Sequence, residues 1–113
     1  MKRIYLCKTD DIKRNCSRRF DLADGMSVVV FHTKTGFFAV KNHCPHAGGT
    51  LEDGEIKKNV LMCIWHGWKF NLKTGRCLNH PEEAVQTFPL IIEKKNIYIE
   101  ISGAEIHKQE ISA

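Results

Sequence analysis

The sequence predicts an all-β fold, an antiparallel sandwich or barrel of about nine short strands with little helix. Short apolar and β-branched segments follow one another closely, each bounded by Gly, Asp, Asn or Lys turn signals. One of them, Ser27–His32, is rich in valine and reads as a buried strand. No repeat, low-complexity stretch or linker interrupts the pattern.

The elements follow in order. Ile4–Cys7 is apolar enough for a first strand. Thr9, Asp10 and Asp11 suggest a capped helical turn ending near Ile12. Arg18–Leu22 precedes a turn at Ala23–Gly25. Ser27–His32 and Phe37–Lys41 flank the turn Thr33–Gly36 and form a hairpin. Cys44–Leu51 is a loop, and Asp53-Gly54 is a further turn. Val60–Ile64 leads into a second loop at His66-Gly67, and Lys69–Leu72 stays extended up to the Lys-Thr-Gly turn at 73–75. Thr87–Glu93 and Ile97–Ile101 are strands joined by Lys94-Lys95-Asn96. Residues 1–103 are expected to form a single domain, with its chemistry at about 42–80 and a frayed tail over 104–113.

Bulk properties narrow the function. A chain of 113 residues supports one domain that buries its apolar surface without disulfides. The net charge of +4 is too small to indicate nucleic acid. Lys13, Arg14, Arg18 and Arg19 read as a solvated strand edge; the alternative is a docking patch for an acidic partner. No apolar run reaches membrane-spanning length, and the first ten residues lack a signal-peptide pattern. A cytoplasmic protein without a membrane role is the expectation. Five cysteines, an odd number, argue against a disulfide framework.

Two of those cysteines stand beside histidines, in Cys44-Pro45-His46 and Cys63-Ile64-Trp65-His66, with sixteen residues between His46 and Cys63. Four such ligands suit zinc or an iron–sulfur centre. Zinc fingers of the common type place both cysteines on one arm and both histidines on the other. Here each arm carries one of each, as two loops gripping two irons from opposite sides require. Gly48, Gly49 and Gly67 lack a Cβ and would let backbone N–H groups approach bridging sulfides. Pro45 stiffens the first loop. Trp65 and Trp68 would screen the site from water, or serve partner docking. Cys7, Cys16 and Cys77 read as ordinary small side chains, and His43 as an exposed polar residue. His32, His80 and His107 receive no role, although His80 would lie near the site if the loop match below holds. No acid/base pair, nucleophile or phosphate loop points to catalysis by this chain.

The segments Cys44-Pro45-His46-Ala47-Gly48-Gly49 and Cys63-Ile64-Trp65-His66-Gly67-Trp68-Lys69-Phe70 resemble the two cluster-binding boxes of Rieske proteins. Thr74-Gly75 resembles the family's turn after the second box. The likeness is strong from about Val40 to Arg76 and weaker over the remaining strands. It implies a Rieske-like β-sandwich with a small cluster-binding subdomain of two loops. It also implies one [2Fe–2S] cluster, with Cys44 and Cys63 on one iron and His46 and His66 on the other. The family uses its exposed histidine edge as the electron port. Asn79-His80-Pro81 falls about where family members carry a proline-containing loop over the cluster.

High-potential members have an extra disulfide-forming cysteine in each box, where this chain has Gly49 and Trp65. They also carry a Ser and a Tyr near the sulfurs, where it has Trp68 and Phe70. Fewer hydrogen bonds to sulfur imply the low end of the Rieske range of about −150 to +300 mV. Low-potential members include stand-alone ferredoxins and the N-terminal domains of ring-hydroxylating oxygenases. This chain has no room for the mononuclear-iron domain of the latter. The resemblance therefore implies a soluble one-electron carrier and not an enzyme, with a flavin-containing reductase as donor and an oxygenase or other reductive enzyme as acceptor. The alternatives are a small subunit of a nitrite-reductase-like complex, a redox-sensing module and a zinc-stabilised binding domain.

Histidine ligation has a pH signature. Ferric iron acidifies the remaining imidazole N–H, so reduction becomes coupled to proton uptake at high pH. The reduction potential is expected to fall as the solution becomes alkaline, followed by voltammetry across pH. A potential flat from neutral to strongly alkaline pH contradicts ligation by His46 and His66.

Overall fold

The computed structural model describes residues 2–22, 25–43, 51–52, 54–63 and 67–101. Among the described residues ten strands form three antiparallel sheets, so the all-β expectation holds. The first sheet is ordered β1-β10-β9, from β1 (Lys2–Lys8), β10 (Asn96–Ile101) and β9 (Leu90–Glu93). The second is ordered β2-β3-β4-β8, from β2 (Ser17–Asp21), β3 (Ser27–Thr33), β4 (Gly36–Lys41) and β8 (Thr87–Phe88). The third is ordered β5-β6-β7, from β5 (Glu55–Lys57), β6 (Val60–Met62) and β7 (Lys69–Asn71).

The valine run explains the layering. Successive side chains of a strand point to opposite faces. Val28 and Val30, with Ala39, join Ile97 and Ile99 in one apolar core. Val29 and Phe31, with Val40, join Leu61 and Phe70 in another. β3 is therefore buried on both faces and tolerates no polar alternation. Its hairpin with β4 runs in register from Val28↔Lys41 to Thr33↔Gly36, as the turn signal implies.

Three sequence expectations are corrected. Thr87–Glu93 is not one strand: Pro89 divides it, because β8 pairs with β4 while β9 pairs with β10. Proline donates no ladder hydrogen bond, and here it marks the corner where the chain changes sheets. Glu55–Lys57 is a strand that its charged ends concealed. Val60–Ile64 ends as a strand at Met62. The turn after β1 is a single 3₁₀ turn, Thr9–Asp11, with the Asp11 carboxylate accepting from the Lys8 N–H at 2.9 Å. The 104–113 tail, Ala23, Asp24 and His107 lie outside the described residues.

The cysteines without neighbouring histidines fall into place. Cys7 and Cys77 are buried and Cys16 is exposed. Burial pushes the Cys7 thiol pKa up, and the Asp11 carboxylate adds to the rise, so it stays a protonated small hydrophobe. His43 is exposed. His32 stacks on Phe37 with ring centroids 4.0 Å apart, and its Nδ1 lies 2.7 Å from the Ile12 carbonyl oxygen.

Gly75 closes the turn after β7 with φ +82°, and its N–H bonds to the Asn71 carbonyl at 2.6 Å. A Cβ there would land on the Val85 carbonyl oxygen. Gly75→Ala is expected to cost at least about 2 kcal/mol, combining left-handed strain with overpacking. A urea unfolding midpoint lowered at constant slope would show it.

Candidate functional site

Each of the two loops that carry the Cys-His pairs is closed at its base by hydrogen bonds between described residues. The first loop runs from the end of β4 to Leu51. Asn42, only 7% exposed, accepts the Leu51 N–H on Oδ1 at 2.7 Å. Its Nδ2 donates to Ser27 Oγ at 3.2 Å and to Glu52 Oε1 at 3.3 Å. A single buried amide therefore ties both ends of the loop to β3. Leu51 is itself buried in the core beneath, so the closure rests on packed side chains.

The second loop connects β6 to β7. The Cys63 N–H donates to the Trp68 carbonyl at 2.8 Å, and the Gly67 N–H donates to the Cys63 carbonyl at 3.0 Å. Cys63 is 1% exposed and belongs to the same apolar core as Trp68 and Phe70. Gly67 has φ +70°, a conformation that favours glycine. Its N–H closes this turn on Cys63.

A third segment braces the second loop. Asn79 Oδ1 accepts the Lys69 N–H at 3.0 Å and the Cys77 thiol at 3.3 Å, and Asn79 Nδ2 donates to the Gly67 carbonyl at 3.3 Å. Next to it, His80 stacks on Trp68, ring centroids 3.9 Å apart and 20° from parallel. Pro81 follows in a tight turn closed by the Glu83 N–H on the His80 carbonyl at 2.9 Å. Proline suits the second position of such a turn because its φ is preset. The ring that meets Trp68 is thus that of His80, next to the proline.

Of the expected ligands, Cys63 is described; Cys44, His46 and His66 lie outside the described residues, as do Pro45, Gly48, Gly49 and Trp65. Among the described residues no group of three or more His, Cys, Asp or Glu side chains is placed to hold a metal. Sequence reasoning did not single out Asn42, whose partners Ser27, Leu51 and Glu52 come together only in the fold.

Residues 2–89 match the family model of the Rieske [2Fe–2S] domain. The chain belongs to the Rieske family. Its cofactor is accordingly a Rieske [2Fe–2S] cluster. The 3-phenylpropionate/cinnamic acid dioxygenase ferredoxin subunit of Photorhabdus laumondii is 27% identical over 90% of this chain and 97% of its own length. The ferredoxin component of the p-cumate 2,3-dioxygenase system of Pseudomonas putida is 29% identical over 88% of this chain and 86% of its own. The solved ferredoxin of carbazole 1,9a-dioxygenase from Nocardioides aromaticivorans superposes with a TM-score of 0.81 at 20% identity, over 90% of this chain and all of that one.

The described residues fit such a cluster. Cys63 presents a thiol in a water-poor core, with its backbone locked on both sides, and its soft sulfur suits iron. Trp68, buried beside Phe70 in the same core, stacks on the half-exposed His80 ring.

Asn42→Ala would strand the buried Leu51 N–H, at a cost of about 1–3 kcal/mol. Faster cluster bleaching in chelator is expected along with lower stability, whereas Asn42→Asp keeps the acceptor but sets a carboxylate against Glu52 and should recover only part of either. Unchanged bleaching in Asn42→Ala would show that the first loop does not depend on this clamp.

Proposed function

We propose that Cys44, His46, Cys63 and His66 hold the [2Fe–2S] cluster in this chain. The protein is an electron carrier and not an enzyme, as its ferredoxin relatives indicate. Bound there, the cluster supplies a site that takes up and releases one electron. The observation that carries the assignment is Cys63: buried in the core, fixed by two backbone hydrogen bonds, at the base of the loop that contains His66. Loops clamped at their bases favour little reorganisation between redox states.

The donor in this reading is a flavin-containing reductase and the acceptor a terminal oxygenase, working in the cytoplasm. The ferredoxin relatives of dioxygenase systems support the acceptor class. They favour this reading over a nitrite-reductase-like subunit or a redox sensor. The residues in place of the family's sulfur-directed hydroxyls, Trp68 and Phe70, offer no such donor, and a potential near the low end of the Rieske range follows.

Potentiometric titration of the purified protein, followed in the visible, tests both statements. One-electron uptake with a midpoint near about −150 mV is expected. His46→Ala or His66→Ala should abolish the visible spectrum, and Cys77→Ala should preserve it. No electron uptake, or an intact spectrum in both histidine variants, would overturn the assignment.

A further inference from the structure

The outer face of the β5–β6–β7 sheet concentrates unpaired cations beside the second ligand loop. Strand alternation turns Ile56, Leu61 and Phe70 toward the core and leaves Lys57, Val60, Met62 and Lys69 on the outside. The register sets Glu55, Met62 and Lys69 across one row, and Lys57, Val60 and Asn71 across the next. Leu78, whose N–H bonds to the Lys69 carbonyl at 2.7 Å, closes the side of this surface.

Together these residues bound a groove of about 440 Å³. Val60, Met62 and Leu78 give it an apolar lining, and Lys57, Lys58 and Lys69 give it charge. Leu78 is 51% exposed and adjoins Val60 and Met62 in this lining, so its apolar surface is part of a patch. Among the described residues none of the three lysines forms an ion pair, and Glu55 is the one acid in the lining. The Lys13–Arg19 patch differs in part. There Arg19 is paired with Asp21 at 2.9 Å and Glu52 at 3.2 Å, its hydrogen bond holds the Asp21 carboxyl below its usual pKa, and the Arg18 guanidinium lies over Phe20; Lys13 and Arg14 form no ion pair among the described residues and have no apolar groove beside them.

Position gives the groove its use. Met62 directly precedes Cys63, and Lys69 directly follows Trp68, the two residues whose pairing closes the ligand loop. A protein seated here abuts the metal loop, where electron transfer needs it. An apolar lining among unpaired ammonium groups complements an apolar side chain framed by carboxylates.

We propose that the Lys57–Lys58–Lys69 groove is the docking surface for an acidic electron-transfer partner protein, which inserts an apolar side chain between Val60, Met62 and Leu78. This rests on the electron-carrier reading above. Charge steers the encounter and the apolar contact fixes the complex, so the lysines govern the association rate and Leu78 its persistence.

The test uses the holoprotein, reduced with dithionite and desalted, mixed in stopped flow with oxidised cytochrome b5 as an acidic one-electron acceptor. At low salt the triple variant Lys57→Glu/Lys58→Glu/Lys69→Glu is expected to react at least about tenfold more slowly than the parent, and the difference should shrink at high salt. A control with the same charge change, Lys13→Glu/Arg14→Glu/Arg18→Glu, should stay within about threefold of the parent. Leu78→Ser should weaken saturation at high acceptor concentration. Equal slowing by both triples would make the effect one of net charge and overturn the groove as the docking site. An unaffected lysine triple would overturn it as well. Each variant is first checked for an unaltered visible spectrum; should the Glu triple lose its cluster, the Gln triple at the same positions replaces it and is expected to show a smaller slowing in the same direction. A parent protein that takes up no electron from dithionite would remove the carrier reading itself, and this proposal with it.

Discussion

Two loops that share one metal cluster are useful only if their bases stay fixed relative to each other, and β3 provides that fixity. Its two faces are sealed by two different cores, so its position is determined from both sides. Each fully buried valine or phenylalanine of that strand contributes about 1.5–3 kcal/mol, and the contributions on the two faces oppose any tilt. Asn42 transfers this rigidity to the first loop through Ser27, a β3 residue. Cys63 and Trp68 transfer it to the second loop, because both belong to the core that Val29 and Phe31 complete. Polar closure of the loops thus depends on apolar closure of the layer beneath.

The same arrangement bears on how the electron is handled. Reducing a buried metal centre adds charge to a low-dielectric site, and the energy of that step depends on what surrounds the sulfur ligands. Around Cys63 the described surroundings are mainly apolar: Leu61, Trp68, Phe70 and Leu72. The cationic side chains of the third sheet, Lys57 and Lys69, lie on its outer face, where they stay solvated. One short sheet therefore serves two purposes through strand alternation, holding a ligand loop with its inner face and presenting charge with its outer one.

Much of this was legible in the sequence, for definite reasons. Ser27–His32 and Phe37–Lys41 were readable as a hairpin because burial of both strands demands apolar residues and the connection demands turn residues. The paired Cys-x-His and Cys-x-x-His motifs were readable because metal chemistry restricts both residue type and spacing. Glu55–Lys57 was not readable, since a three-residue strand with one inward side chain leaves almost no pattern. Pro89 was read through rather than as a break, because a strand that changes sheets keeps its apolar character on both sides of the corner. The clamps were least visible of all. Asn42 and Asn79 each combine backbone groups with side chains distant in sequence or unremarkable in type, so no sequence signal marks their partners.

The central claim is that this scaffold holds a two-iron cluster with mixed thiolate and imidazole ligation. Low-temperature EPR of the dithionite-reduced protein, taken with iron and acid-labile sulfide analysis of the same sample, tests it most directly. The account predicts equal amounts of iron and sulfide and a rhombic signal whose average g value falls below that of an all-cysteine two-iron cluster. A colourless, EPR-silent protein with stoichiometric zinc, or a signal of the all-cysteine type, would contradict it.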